Sequence, residues 1–337
     1  MSDPENTTSP YYPWQTHIWQ QFCLAKQNNH LPHALLLQGG EHTGKLKFTN
    51  SIVKSLLCEN NTEVENMNEQ STCEACHQCR SCKTYGAGSN PDYLLIDLIE
   101  DKQQISIDQI RAMNAFLTLS RSFNTHRVVL ISNAERMNKN AANSLLKSLE
   151  EPSDNSVIIL LTSQASVLLP TIKSRCQILQ LPTPNKQQAI EWLQQETGKN
   201  SQFQQELEIA QGKPLAALAV DDELIATRDD LLTDIVNIIH EKSSIIDIAK
   251  KWQKQDRGRL IDWQIGWISM LLSAQYKSNT KDQADEKLIQ LKENILVQSL
   301  WDLYDQLLKQ KKIVHTSVNP LIFIENMLTL WLQAKHC

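Results

Sequence analysis

The chain has 337 residues, 41% apolar and 21% charged, with a formal net charge of −5. That length holds two or three domains with a sizeable core, and the composition is that of a soluble globular protein. The acidic balance excludes a broad basic field for nucleic acid, and no apolar run approaches the ~18 residues of a membrane span.

The opening residues, MSDPENTTSP, are polar and acidic, unlike a secretory leader. They read as a loose leader of a cytoplasmic protein. In that compartment thiols stay reduced, so clustered cysteines point to metal or redox chemistry before structural disulfides. Tyr12-Pro13-Trp14 follows, with Trp14 as a packing anchor, then a helical stretch through Trp19, Phe22 and Leu24.

Ala34-Leu35-Leu36-Leu37 is a buried-strand pattern. Gly39, Gly44 and Lys45 then stand at the spacing of a phosphate-binding loop. The two glycines let backbone N–H groups turn toward phosphates, and Lys45 adds a positive charge. The hydroxyl residue that would ligate Mg²⁺ is replaced by Leu46. The loop is therefore suited to cradling phosphates and poorly equipped to split them, which leaves ATP binding doubtful. A helix over Lys45–Cys58 is predicted from Phe48, Ile52, Val53, Leu56 and Leu57.

Cys58 ends that helix. After a polar insertion, Glu59–Ser71, come Cys73, Cys76, Cys79 and Cys82. Thiolates two residues apart in a tight turn can face one ion, and four complete a tetrahedral Zn²⁺ shell. Five cysteines compete for four places, with His77 as an alternative ligand. A shell filled by cysteine leaves no open position for water, so the zinc would be structural. The plainer reading is a set of unrelated thiols or a redox cluster.

Asn90-Pro91-Asp92 is a turn, and Tyr93–Asp97 is the next strand. A helix starts near Ile105, with Ser106 or Asp108 as cap, and runs through Met113, Phe116 and Leu117. Arg127–Ile131 is another buried strand. At its exit, where a nucleotide hydrolase carries a carboxylate for Mg²⁺ and water, stand Ser132 and Asn133. Glu135, the nearest acid, reads as a solvated helix residue. Asn138–Glu151 is helical and Val157–Thr162 a central strand. Strands alternating with helices imply a parallel sheet covered on both faces.

Ser174-Arg175-Cys176 follows Leu169-Pro170. Arg175 is either an ordinary surface residue or a finger that reaches a phosphate held by a neighbouring subunit. Cys176 reads as a buried small residue. Leu181-Pro182-Thr183-Pro184 marks a boundary. Short helices are expected over residues 185–222, and only helical periodicity from about 224 on, broken by a polar loop at 279–285. Asn319-Pro320 is a start signal for a last helix. Trp252, Trp263, Trp267, Trp301 and Trp331 read as helix packing.

Taken together, Tyr12-Pro13-Trp14-Gln15, the Cys58/Cys76/Cys79/Cys82 set followed by Gly88–Tyr93, the run from Asn138 to Pro152, and Ser174-Arg175-Cys176 resemble the delta prime family of bacterial DNA polymerase III clamp-loader subunits. The resemblance covers essentially the whole chain and is strongest over residues 12–182. It implies an α/β AAA+ domain at 1–182 with a parallel P-loop-type sheet and an inserted zinc module at 58–82. A helical lid at 183–223 and an all-α collar at 224–337 follow. Cys58, Cys76, Cys79 and Cys82 become the zinc ligands, with Cys73 as an extra cysteine. Arg175 becomes a finger acting in trans on a neighbour's ATP. The implied partners are the gamma/tau motor subunits and delta in a hetero-pentamer, and through it the sliding clamp and primed DNA. No ATP turnover of its own is expected, although the chain would belong to a DNA-directed DNA polymerase holoenzyme. The rivals are a motor or stand-alone ATPase using Lys45 and Glu135, and a zinc-knuckle nucleic-acid-binding protein.

Overall fold

The computed structural model describes residues 9–60, 64–65, 71–100, 102–123, 125–199, 203–276, 286–314, 316 and 318–335. The polar loop expected at 279–285, most of the leader expected at 1–10, and much of the polar insertion at 59–71 lie outside the described residues. Two compact units emerge, Met1–Ser201 with Lys213–Leu215, and Gln202–Gly212 with Ala216–Cys337.

In the first unit a 3-10 turn, Pro13–Gln15, leads into α1 (Thr16–Gln27), β1 (Ala34–Gln38) and α2 (Lys45–Leu57). β2 (Val64–Glu65) and β3 (Ser71–Thr72) form a short antiparallel ribbon. Then come α3 (Arg80–Gly86), β4 (Tyr93–Ile96), α4 (Ile107–Thr118), β5 (Arg127–Ile131), α5 (Lys139–Glu150), β6 (Ser156–Thr162), α6 (Pro170–Lys173), β7 (Gln177–Gln180) and α7 (Lys186–Thr197).

The five-stranded sheet has the order β4-β5-β6-β1-β7, and every neighbouring pair is parallel. Leu36 of β1 sits opposite Leu160 of β6 and Ile178 of β7. Successive side chains on a strand point to opposite faces. Leu35 and Leu37 therefore join a core with Trp19 and Phe22 of α1 and Phe48 and Ile52 of α2. Ala34 and Leu36 face the other way, toward Ile110 and Met113 of α4 and Leu145 and Leu149 of α5. Burial on both faces explains why β1, β5 and β6 read as nearly continuous apolar runs. β7 gave no such signal: it lies at the sheet edge and buries only Leu179.

Local caps set the helix starts. Ser106 is the N-cap of α4, and its backbone N–H donates to Gln109 Oε1 at 2.9 Å. Asp108 lies in the first turn instead, paired with Arg111 at 3.1 Å. Asn138 caps α5 by accepting the Ala141 N–H at 2.8 Å. A buried ion pair ties the start of β5 to the turn before β4. Arg127 Nη2 stands 3.1 Å from Asp92 Oδ1, and both side chains are almost fully enclosed. Arg127 Nη1 also donates to the Phe116 and Leu119 carbonyls, each at 2.6 Å. Asp92 accepts the N–H groups of Ser122 and Phe123.

The second unit is helical: α8 (Gln204–Ile209), α9 (Pro214–Ala217, shared with the first unit), α10 (Asp222–Ile239), α11 (Ile245–Trp252), α12 (Arg257–Tyr276), α13 (Glu286–Asn294), α14 (Val297–Lys311) and α15 (Pro320–Ala334). One apolar core unites Leu231, Ile261, Leu291, Leu303 and Ile324. Asn319 caps α15 by accepting the Leu321 N–H at 2.9 Å. Buried Gln264 accepts from Trp331 Nε1 at 2.6 Å and donates to the Leu260 carbonyl at 2.9 Å, so its burial leaves no amide unmet. Trp252, Trp263, Trp267 and Trp331 are core residues, as expected. Trp301 is not: it is 44% exposed on α14, because Leu300, Leu303 and Leu307 occupy that helix's inward face. No helix among the described residues is long and apolar enough to cross a membrane.

Candidate functional site

Gly39, Gly44 and Lys45 occupy the turn between the end of β1 and the start of α2. Gly44 is the N-cap of α2 in the left-handed region, φ +82°. The loop is held from the N-terminal side. Trp14 Nε1 donates to the Thr43 carbonyl at 3.0 Å, and buried Gln15 donates to the carbonyls of Thr43 and Gly44 at 3.0 and 3.2 Å. Lys45 Nζ donates to the Gly40 carbonyl at 2.6 Å, across its own loop. Trp14 is thus more than a packing anchor: it stacks on Tyr12 and meets Trp192 of α7 edge-on. Leu46, in the position a metal-binding hydroxyl would take, is 39% exposed.

At the exit of β5, Ser132 is buried and Asn133 donates to Asp97 Oδ1 at 2.9 Å. Asp97 follows β4, the neighbouring strand. A carboxylate therefore does stand beside this exit, from another part of the chain, and the linear sequence offered no signal for it. Glu135 is not a solvated helix residue. It lies in a 3-10 turn, Ala134–Arg136, half-buried, with one carboxylate oxygen enclosed and without a hydrogen-bond partner among the described residues.

Arg175 stands between α6 and β7. Its Nη2 is 2.7 Å from Glu150 Oε1, and its Nη1 donates to the Thr171 carbonyl at 3.0 Å. Glu150, the last residue of α5, is a partner that sequence reasoning missed. Cys176 is partly buried against the core beneath α4 and α5, and burial pushes its thiol up to about 11.

Cys58, Cys76, Cys79 and Cys82 converge, with their Sγ atoms all within 4.8 Å of one another. A tetrahedral shell with Zn–S distances of about 2.3 Å puts its sulfurs about 3.8 Å apart, so this set fits a metal of that class after a small contraction. The backbone is arranged for thiolates. The N–H groups of Cys76, Cys79 and Cys82 donate to Cys58, Cys76 and Cys79 Sγ respectively, each at 3.3 Å. N–H groups of Gln78 and Cys79 aimed at Cys76 hold its thiol down at about 6. Burial pushes the Cys58 and Cys82 thiols up. His77 is outside the cluster, exposed and in the left-handed region.

The fifth candidate has another partner. Cys73 is disulfide-bonded to Cys23 of α1, and both are buried. This corrects the expectation that reduced thiols would account for the whole cluster. The physical reason is the path of the chain: β3 runs beside α1, and the two Cα atoms come within 5.4 Å. Nearby, Lys26 Nζ donates to the carbonyl and hydroxyl of Ser55, whose hydroxyl donates to the Cys73 carbonyl. Burial brings the Lys26 ammonium down to about 8.

Residues 14–185 match the family described as DNA polymerase III, delta subunit. A DNA polymerase III subunit delta prime of Pseudomonas aeruginosa is 30% identical over 334 residues, covering 95% of this chain and 97% of that one. A DNA polymerase III subunit tau of Bacillus subtilis is 26% identical, covering 96% of this chain and 61% of that one. Among solved structures, a DNA polymerase III gamma-subunit-related protein of Thermotoga maritima is similar at 20% identity. It covers 96% of this chain and 100% of that one with a TM-score of 0.44.

Proposed function

The chain belongs to the delta prime family of DNA polymerase III subunits, and from that premise we propose that it serves in the clamp-loader ring by completing a neighbour's ATP site without turning over nucleotide itself. The observation that carries this reading is a contrast within one chain. Arg175 presents a partly exposed guanidinium, while the chain's own phosphate loop has Leu46 and its β5 exit has Ser132 and Asn133 where that strand would carry acids, the neighbouring Asp97 being engaged by Asn133. A guanidinium is a permanent cation with a planar fork of donors, matched to phosphate oxygens. Arg175 would donate to the γ-phosphate held by an adjacent motor subunit and stabilise the charge that develops there. Ser174 and Cys176 would place its loop.

Gly39, Gly44 and Lys45 keep the spacing of a phosphate loop, with ATP binding weak or nil in this reading. Cys58, Cys76, Cys79 and Cys82 would hold Zn²⁺ in a closed, structural site that stiffens the segment between α2 and β4. The AAA+ domain at 1–182, lid at 183–223 and collar at 224–337 belong to the same proposal. So do gamma/tau and delta as ring partners, and the sliding clamp and primed DNA as what the ring handles.

The test is ATP turnover by the reconstituted loader, with clamp and primed DNA, comparing the wild-type chain with Arg175→Ala. A finger is worth on the order of 10³–10⁵ in rate at its own site, and less in total turnover when several motor sites share a ring. Clear loss in a ring that sizing finds intact is the expected result. Unchanged turnover would reduce the chain to a scaffold. Metal-dependent turnover by the purified chain alone, lost in Lys45→Ala, would favour the ATPase rival.

A further inference from the structure

Arg175 does not project freely. Its two terminal nitrogens are engaged within its own subunit, Nη2 with Glu150 Oε1 at 2.7 Å and Nη1 with the Thr171 carbonyl at 3.0 Å. The Arg175 side chain is 35% exposed and that of Glu150 52% exposed, so the pair is reachable from solvent. Glu150 is also oddly placed for helix stability. It closes α5, where the partial negative charge of a helix C-terminus disfavours a carboxylate. Glu151 adds a second acid beside it. Lys147 in the same last turn offsets part of this, and the direct ion pair with Arg175 offsets it at Glu150 itself.

We infer that Glu150 is a positioning residue for Arg175, a latch whose carboxylate holds the guanidinium within the subunit and yields it to a phosphate of the neighbouring subunit. The inference rests on the arginine-finger reading above. Carboxylate and phosphate present similar paired oxygens to the same fork of donors, so one replaces the other without rebuilding the side chain. Half-solvated ion pairs are weak, which suits a contact that must exchange. The Thr171 carbonyl, in the short helix α6, accepts from the other terminal nitrogen and helps hold the fork in place.

A latch of this kind competes with ATP at the neighbour's site. Removing its charge should therefore raise kcat/KM for ATP, through a lower half-maximal concentration where the finger grips bound ATP and through a higher saturated rate where it engages only as charge develops. The experiment is an ATP titration of the reconstituted loader, with clamp and primed DNA, carrying wild type, Glu150→Gln, Arg175→Ala or both changes. Ring assembly is checked by sizing, and the folding of each variant by its thermal midpoint. For the part of turnover that Arg175→Ala removes, Glu150→Gln is expected to raise kcat/KM for ATP by about twofold to fivefold, the range of an exposed pair. In the Arg175→Ala background Glu150→Gln should do nothing.

An unchanged or lowered kcat/KM, or the same rise without Arg175, would overturn the latch while leaving the finger in place. Full turnover in the Arg175→Ala loader would remove the finger itself, and the latch with it.

Discussion

The ring of Tyr12 lies against the α carbon of Gly44, so close that a Cβ there would stand 2.1 Å from both Cδ2 and Cε2. The residue that begins the N-terminal turn and the residue that opens α2 are thereby one packing unit. Tyr12 is almost fully enclosed, stacked on Trp14 at 4.9 Å and edge-on to Trp192 at 5.3 Å. Glycine at position 44 is needed twice, for its positive φ and for the ring's approach.

Gly44→Ala should accordingly destabilise the first unit by about 2–4 kcal/mol, combining left-handed strain with overpacking. The check is the urea midpoint. Adding Tyr12→Ala should relieve the clash but not the backbone strain. The double variant should therefore fall short of the value for Tyr12→Ala alone.

Metal content should separate the two roles of cysteine. Cys79→Ser removes one of four converging sulfurs and should take bound zinc from about one per chain, the occupancy of a four-cysteine site, to well below it. Cys73→Ser should leave zinc in place, because its sulfur belongs to the Cys23 bridge. Losing that bridge frees a loop with a sequence separation of 50 residues and should cost roughly 2–4 kcal/mol on a chain-entropy basis. Metal analysis of protein purified without chelator, and unfolding with and without reductant, test the pair of statements. Zinc well below one per chain in the wild type would sink the site.

Acid should weaken the first unit through His126. Burial holds its imidazolium below the ordinary 6.5. The unfolded chain then binds more protons than the folded one in the window beneath that value. Stability is full above pH 6.5 and is lost as pH falls through it. The thermal midpoint should drop between pH 7.5 and pH 5.5. In His126→Gln that drop should be smaller, and an equal drop would acquit the histidine.

Asp92→Asn should be among the more damaging conservative changes. It leaves the Arg127 guanidinium almost fully enclosed without its counter-charge. Breaking a buried pair from one side costs about 3–5 kcal/mol. The remaining carbonyl partners of Arg127 put the expectation near the lower end, about 3 kcal/mol by denaturant unfolding. A loss near that of a surface substitution would contradict it.

The features legible in the sequence were those encoded over short spans. Ala34–Gln38, Arg127–Ile131 and Ser156–Thr162 announced themselves because strands buried on both faces must be apolar throughout. The phosphate-loop spacing from Gly39 to Lys45 and the Cys76/Cys79/Cys82 knuckle are local too, since a turn brings together residues that are near in sequence. The cap Asn319 acts on N–H groups two or three residues away. Strand β7 was missed because a half-exposed edge strand has little reason to be apolar.

What only the tertiary structure decided is which distant residues meet. The sequence by itself determined that five cysteines competed for four places; the course of β3 beside α1 assigned Cys73 to Cys23. It determined that Ser132 and Asn133 replace acids; the parallel pairing of β4 with β5 brought Asp97 to the same exit. It marked Arg175 as a candidate cation, and the packing of α5 beside α6 supplied Glu150 to hold it. Such pairings span tens of residues. They follow from how the sheet and helices stack, a cooperative outcome of the whole core that no local spacing encodes.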